Sequence, residues 1–128
     1  MLTREQRYAI QAYTDVKTIR DNQNLNDEQR QKYGAIAHKL PVLVRTAGLV
    51  QALAFLDARG TGAQTQLLVH LAQSMGHSTG GALLDKSRTA PLSEYMRLTH
   101  EVLAALTWYK RYVQSMLGVD AADEGGEA

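Results

Sequence analysis

Cysteine is absent from the 128 residues, so disulfides and thiolate metal sites are excluded. Proline is scarce, with only Pro41 and Pro91 present, so each is a strong marker of where a helix starts or stops. No uncharged run approaches the roughly 18 residues a membrane-spanning helix needs. The opening stretch Met1-Leu2-Thr3-Arg4-Glu5-Gln6-Arg7 also lacks the apolar run of a signal peptide. These absences predict a soluble, cytoplasmic protein without membrane contact. Strand-length alternation of polar and apolar residues is missing as well, which leaves a sheet without support.

What remains is helical punctuation and helical period. Thr3 with Gln6 has the spacing of a capping box, and Tyr8, Ala9, Ala12, Tyr13, Val16 and Ile19 share one face, giving a helix over about 3–22. A polar linker, Asp21 to Asn26, precedes a second capping-box spacing at Asn26 and Gln29. The helix that follows should end near Lys39, because the residue before Pro41 is pushed out of the α region, and Pro41 should open a central helix to about Ala58 with Gly60 as its left-handed terminator. Thr61 and Gln64 repeat the box ahead of Leu67, Leu68, Leu71, Ala72 and Met75, with a stop at Gly76. Residues 77–90 read as an irregular surface stretch with a turn at Ser78-Thr79-Gly80-Gly81 and room for one or two helical turns from Ala82 to Lys86. Pro91 opens the last helix, whose apolar period from Leu92 to Met116 spans about 40 Å before Gly118 ends it. The expectation is an all-α compact bundle of five main helices plus a short extra one. It forms a single domain over 1–118, followed by a disordered acidic tail over 119–128.

Residues 33–56 are the least like a surface helix. Apolar residues occupy nearly every direction after Pro41, which belongs in the middle of a bundle, yet Lys39 and Arg45 flank its first turns. A cation at a helix start opposes the macrodipole unless an anion is near. Two readings follow: free N–H groups of a Pro-started helix plus two cations make an anion site, or Arg45 is held by an internal acid such as Asp15 or Asp57. The net charge of +1 hides an asymmetry, since the last nine residues hold four of the 13 acids and no base, leaving a body of about +5. Such a body suits a polyanion, or a merely solubilising surplus.

Enzymatic constellations are missing. No phosphate-cradling glycine loop occurs, His38, His70, His77 and His100 show no metal-ligand spacing, and Glu94 with Glu101 carry no mark of an acid–base pair. Neither a metal nor another cofactor is expected. Trp108-Tyr109-Lys110-Arg111-Tyr112 interleaves rings and cations in a way that suits single-stranded RNA, although Tyr109 falls on the apolar period and core packing accounts for it.

The string Tyr33-Gly34, Ala37-His38-Lys39-Leu40-Pro41, Leu43-Val44-Arg45, Gly48-Leu49 and Gln51-Ala52-Leu53-Ala54-Phe55-Leu56 resembles the signature of the small helical (fifth) subunit of Cmr-type, type III-B CRISPR RNA-silencing complexes. A last helix beginning Ser93-Glu94-Tyr95-Met96 fits as well, and the resemblance covers most of residues 3–117. It implies a non-catalytic all-α subunit that stacks head-to-tail beside a guide-RNA filament. Partners would be the backbone subunit, the large polymerase-like subunit, further copies of itself, guide RNA and target RNA. Under that resemblance Lys39 and Arg45 become phosphate-backbone contacts, and Gly34 and Gly48 become close-packing positions between helices. Lys17, Arg20 and Arg88 are secondary RNA-binding candidates from charge. The alternative is a helical protein-interaction module with no nucleic-acid contact.

Overall fold

The computed structural model describes residues 1–58 and 62–121. Six helices follow in order, α1 Arg4–Asp21, α2 Asp27–Ala47, α3 Leu49–Ala58, α4 Gly62–Ser74, α5 Gly80–Thr89 and α6 Leu92–Leu117, with no strand among the described residues. The fold is all-α. No helix is long and apolar enough to cross a membrane among those residues.

The first two starts are built as their spacing predicts. Thr3 Oγ1 accepts from the Gln6 amide at 3.0 Å while Gln6 Oε1 accepts from the Thr3 amide at 2.8 Å. Asn26 and Gln29 exchange the same pair of bonds, each at 2.8 Å. Each cap satisfies donors that would otherwise lack partners, worth about 1 kcal/mol. Gly60 and Thr61, the expected terminator and cap between the third and fourth helices, lie outside the described residues.

Pro41 does not divide the second helix from the third. α2 runs unbroken through it, and the break falls at Gly48, whose φ of +94° is open to glycine and strained for other residues. The Gly48 amide donates to Val44 O at 3.0 Å and its carbonyl accepts from Ala52 N at 3.0 Å, so one residue closes α2 and opens α3. An internal proline costs about 3 kcal/mol. Burial of Ala37, Leu40, Pro41 and Val44 on one side of α2 offsets that cost, and the helix has four turns behind the proline fixed by the Asn26 cap. The span read as one central helix is therefore the end of α2 plus α3.

Residues 77–90 are also more ordered than their composition suggests. Thr79 Oγ1 accepts from the Ala82 amide at 3.1 Å and starts α5, which buries Leu83, Leu84 and Ser87 against α3 and α4. The short extra helix expected from Ala82 is thus present as α5, longer at both ends than expected and with one side in the core.

Packing is organised by α6. Arg4 meets Glu101, Glu5 meets Trp108 and Tyr13 meets Tyr112, so contacts advance in the same direction and α1 lies parallel to α6. Against α2 it runs the other way: its start touches the α2–α3 junction, where Tyr95 Oη accepts from the Val50 amide at 3.2 Å, and its end reaches Gly34. The core joins Val16, Ile19, Tyr33, Leu40, Leu49, Leu53, Leu56, Leu67, Leu71, Leu83, Leu106 and Tyr109.

Gly118 ends α6 with φ +71°, and the chain then turns back onto α2. The Val119 amide donates to Val113 O at 3.1 Å, its side chain is buried, and its carbonyl accepts from His38 Nε2 at 2.8 Å. A Cβ added at Gly34 would stand 2.6 Å from Val119 Cβ. Val119 therefore belongs to the packed body. Residues 122–128, most of the expected disordered tail, lie outside the described residues.

Candidate nucleic-acid interface

The five cations singled out from sequence fall on three helices. Lys17 and Arg20 are on α1, Lys39 and Arg45 on α2, and Arg88 on α5; α1 packs on α6 and α4, and α5 on α4 and α3. They do not form one cluster around α2. Two are already engaged: Arg20 Nε donates to Asp21 Oδ1 at 2.9 Å, and Arg88, on a helix rather than in a loop, pairs with Asp85. The Arg20 bond holds the exposed Asp21 carboxyl below its usual range. Lys17 is exposed beside a shallow hollow lined by Thr14, Thr18, Asp21 and Asn22.

Lys39 and Arg45 are different. Both are exposed, and neither forms an ion pair among the described residues. Lys39 Nζ lies 5.9 Å from the Phe55 ring centroid, a cation–π contact that leans it toward α3 without neutralising it. The internal-acid reading of Arg45 fails: Asp57 is exposed, and Asp15 is buried and committed elsewhere. The Pro-started anion site fails too, because residue 41 lies mid-helix. Arg45 sits in the last turn of α2, where the macrodipole favours a cation. Six residues place the two side chains about 120° apart around α2 and about 9 Å apart along it. They stand on opposite edges of one solvent-facing ridge, on which Lys32 and Thr46 are also exposed.

The glycines of the same stretch do other work than helix-to-helix packing. Gly34 admits Val119 of the terminal segment, and Gly48 supplies a helix break.

Trp108-Tyr109-Lys110-Arg111-Tyr112 splits along the helix. Tyr109 is buried, as its place in the period implies. Trp108 and Tyr112 stack at 6.0 Å, Tyr13 meets Tyr112 edge-on at 5.6 Å, and the Arg111 guanidinium lies 5.9 Å from the Trp108 centroid. Trp108 Nε1 also donates to Glu5 at 2.8 Å. These rings mostly serve the α1–α6 seam, with a carboxylate beside them that disfavours phosphate.

A buried polar cluster escapes the sequence reading. Tyr109 Oη donates to Asp15 Oδ2 at 2.6 Å, Ser74 Oγ lies 2.9 Å from the same hydroxyl, and Gln11 Nε2 donates to Asp15 Oδ1 at 3.1 Å. Tyr33 Oη is 2.7 Å from His70 Nδ1. Burial pushes the Tyr33 and Tyr109 hydroxyls up and, with Asp15 opposing, the His70 imidazole down. Tyr33 Oη and His70 Nδ1 share one hydrogen, and the other ring nitrogen, Nε2, lies 4.0 Å from Asp15 Oδ1. Asp15 lies within the α1 face of Tyr8, Ala12, Val16 and Ile19, and that position is the available signal. Through these buried bonds the cluster fastens α1, α2, α4 and α6 together.

Residues 4–116 match the family model described as CRISPR-associated protein (Cas_Cmr5). The chain belongs to the Cmr5 family. The CRISPR system Cmr subunit Cmr5 of Thermus thermophilus is 45% identical over 117 residues, 91% of this chain and 98% of the relative. The crystal structure of a CRISPR-associated Cmr5 family protein from Thermus thermophilus superposes with a TM-score of 0.83 at 45% identity, with coverage of 91% of this chain and 98% of that one. The family read from the 33–56 string is thus the family that matches. The Cmr5 match stops at residue 116, short of Val119 and the acidic residues beyond it.

Proposed function

We propose that this Cmr5-family chain is a non-catalytic structural subunit of a Cmr-type, type III-B RNA-targeting complex, and that the solvent-facing ridge of α2 touches the backbone of guide or target RNA. The carrying observation is the pair Lys39 and Arg45, exposed within the family signature and left without an acid partner among the described residues. Cations without an internal ion pair break none when they meet phosphate, and backbone contact needs no base readout where a guide supplies specificity by pairing. Two cations on opposite edges of a ridge suit a strand lying along it. Its partners in this role are the backbone and large polymerase-like subunits, further copies of itself, and both RNAs.

The test is the Lys39→Glu, Arg45→Glu double reversal, assembled into the complex. RNA affinity should fall, and the slope of log affinity against log salt should drop by about 1 for each phosphate that the variant no longer touches. The free variant should keep its helical circular dichroism. Unchanged RNA affinity in a correctly assembled particle refutes the contact. The second reading, a protein-interaction module, draws on Leu92 and Met96, exposed at 74% and 54% near the α6 start, an end better suited to a protein partner than to phosphate.

A further inference from the structure

Three exposed apolar side chains meet at the corner where α6 starts beside the α2–α3 junction. Leu92 and Met96 are four residues apart and so share one strip of α6, and Val50 is held beside them by the bond from its amide to Tyr95 Oη at 3.2 Å. The strip is set before any partner arrives: Tyr95 Oη also stands against Gly48, where an added Cβ would lie 3.5 Å away, so one hydroxyl anchors the α6 start at the junction. Cations border the corner on both sides. Arg45 lies three residues before Gly48, almost one turn back along α2. Arg97 lies about 100° around α6 from Met96 and about 160° from Tyr95, on the border away from the junction. Both are exposed, and neither forms an ion pair among the described residues. Glu94, the acid nearest in sequence, is held by Lys86 at 2.8 Å. α6 also opens without a side-chain cap on its first amides, which adds to the positive potential around Leu92.

We propose that the Leu92, Met96 and Val50 corner is a docking surface for an amphipathic helix of a different protein, one that lays an apolar strip on these three side chains and carries carboxylates toward Arg45 and Arg97. A helix is the element that fits: apolar residues at i and i+4 match the spacing of Leu92 and Met96, and with no strand among the described residues there is no sheet edge for an extended peptide to join. Nucleic acid does not fit, since phosphate gains nothing from leucine or methionine and loses water over them. A second copy fits badly as well. Another exposed apolar pair, Ile10 and Tyr13 on α1, is bracketed by the exposed Arg7 and Lys17, so a copy laid on by that face would set cations against cations. The surface does not rest on RNA contact: Arg45 borders both the α2 ridge and this corner, and Arg97 belongs to the corner alone.

The first arm of the test uses the full chain in the assembled Cmr-type complex, and so rests on the reading of the chain as its subunit. A benzoylphenylalanine photo-crosslinker at position 96 should join a helix of another protein subunit, at an apolar position with an aspartate or glutamate within one turn of it. Leu92→Gln with Met96→Gln should lower incorporation of the chain about tenfold, and Arg97→Glu about two- to fivefold, while the free variants keep the helical circular dichroism of the parent. Changing the crosslinked partner's acid to lysine should restore Arg97→Glu. Crosslinks to RNA or to a second copy of this chain overturn the proposal, as does an assembled particle in which position 96 crosslinks nothing or the three substitutions change nothing. The second arm uses the free full chain and a helical peptide of about 18 residues, five turns, with leucines at i and i+4 spacing and glutamates on both flanks. It should shift the amide resonances of residues 48–50 and 92–97, and bind about two- to fivefold more tightly than the same peptide with lysine for glutamate, an order that Arg97→Glu reverses. If the parent chain fails to enter the complex, the subunit reading alone is sunk and the peptide decides: no shift at those residues, or an order indifferent to Arg97, overturns the docking surface.

Discussion

Gly34→Ala should change sign according to what stands at position 119. Gly34 lies inside α2, where alanine is better than glycine by about 0.5–1 kcal/mol. In the parent chain the new methyl would meet Val119 Cβ at 2.6 Å and both Cγ atoms at 2.8 Å, so Val119 must leave its seat. Leaving exposes a buried valine, about 1.5–3 kcal/mol, and gives up the His38 bond, about 0.5–1.5 kcal/mol. The net expectation is a loss of about 1–4 kcal/mol. In a Val119→Gly background the three clashing carbons are gone while both backbone hydrogen bonds can still form. There Gly34→Ala should gain about 0.5–1 kcal/mol. Urea unfolding followed by the fluorescence of Trp108, the single tryptophan, gives all four corners of the cycle. The same ΔΔG in both backgrounds would refute the seating of Val119 on Gly34.

Two further outcomes follow from the buried cluster. Tyr109→Phe removes the donor to Asp15 Oδ2 and should cost about 2–4 kcal/mol in urea unfolding with helical content retained; a cost below about 0.5 kcal/mol would contradict the buried bond. Burial holds the His70 pKa below 6.5, so as pH falls through 6.5 the unfolded chain takes up a proton before the folded one does. Stability should be flat above that pH and decline below it by up to about 1.4 kcal/mol per unit, read from urea midpoints between about pH 5 and 8, and His70→Gln should remove that component.

Helix starts are the most legible feature of the sequence because a capping box is a local exchange of two bonds, and Thr3 with Gln6 and Asn26 with Gln29 make them without help from the fold. The α2–α3 junction is hard to place for the opposite reason. Pro41 has an intrinsic preference to start a helix, but burial around Leu40 and Val44 outweighs it, and the chain turns where Gly48 makes positive φ available. The α5 stretch hides behind Gly80, Gly81 and Ser87, although Leu83 and Leu84 fall together on its buried side. For the candidate interface, the residue types of Lys39 and Arg45 and their exposure are legible. Whether a given cation is engaged is not: Asp21 and Asp85 claim Arg20 and Arg88 through neighbours in sequence, whereas the Asp15 that could have claimed Arg45 is drawn into a cluster by residues as far as 94 positions away.

The parallel seam between the first and last helices also governs how the chain is made. Asp15 accepts the hydrogen bond of the Tyr109 hydroxyl, and Glu5 that of the Trp108 indole, only across separations of 94 and 103 positions in the chain. Until α6 emerges, α1 has no partner for most of its apolar face and a carboxylate waits in the middle of it. Closure of this seam is a late event, because α2 to α5 can already pack on one another while α1 waits for α6, and fragments ending before α6 should fail to complete the native core.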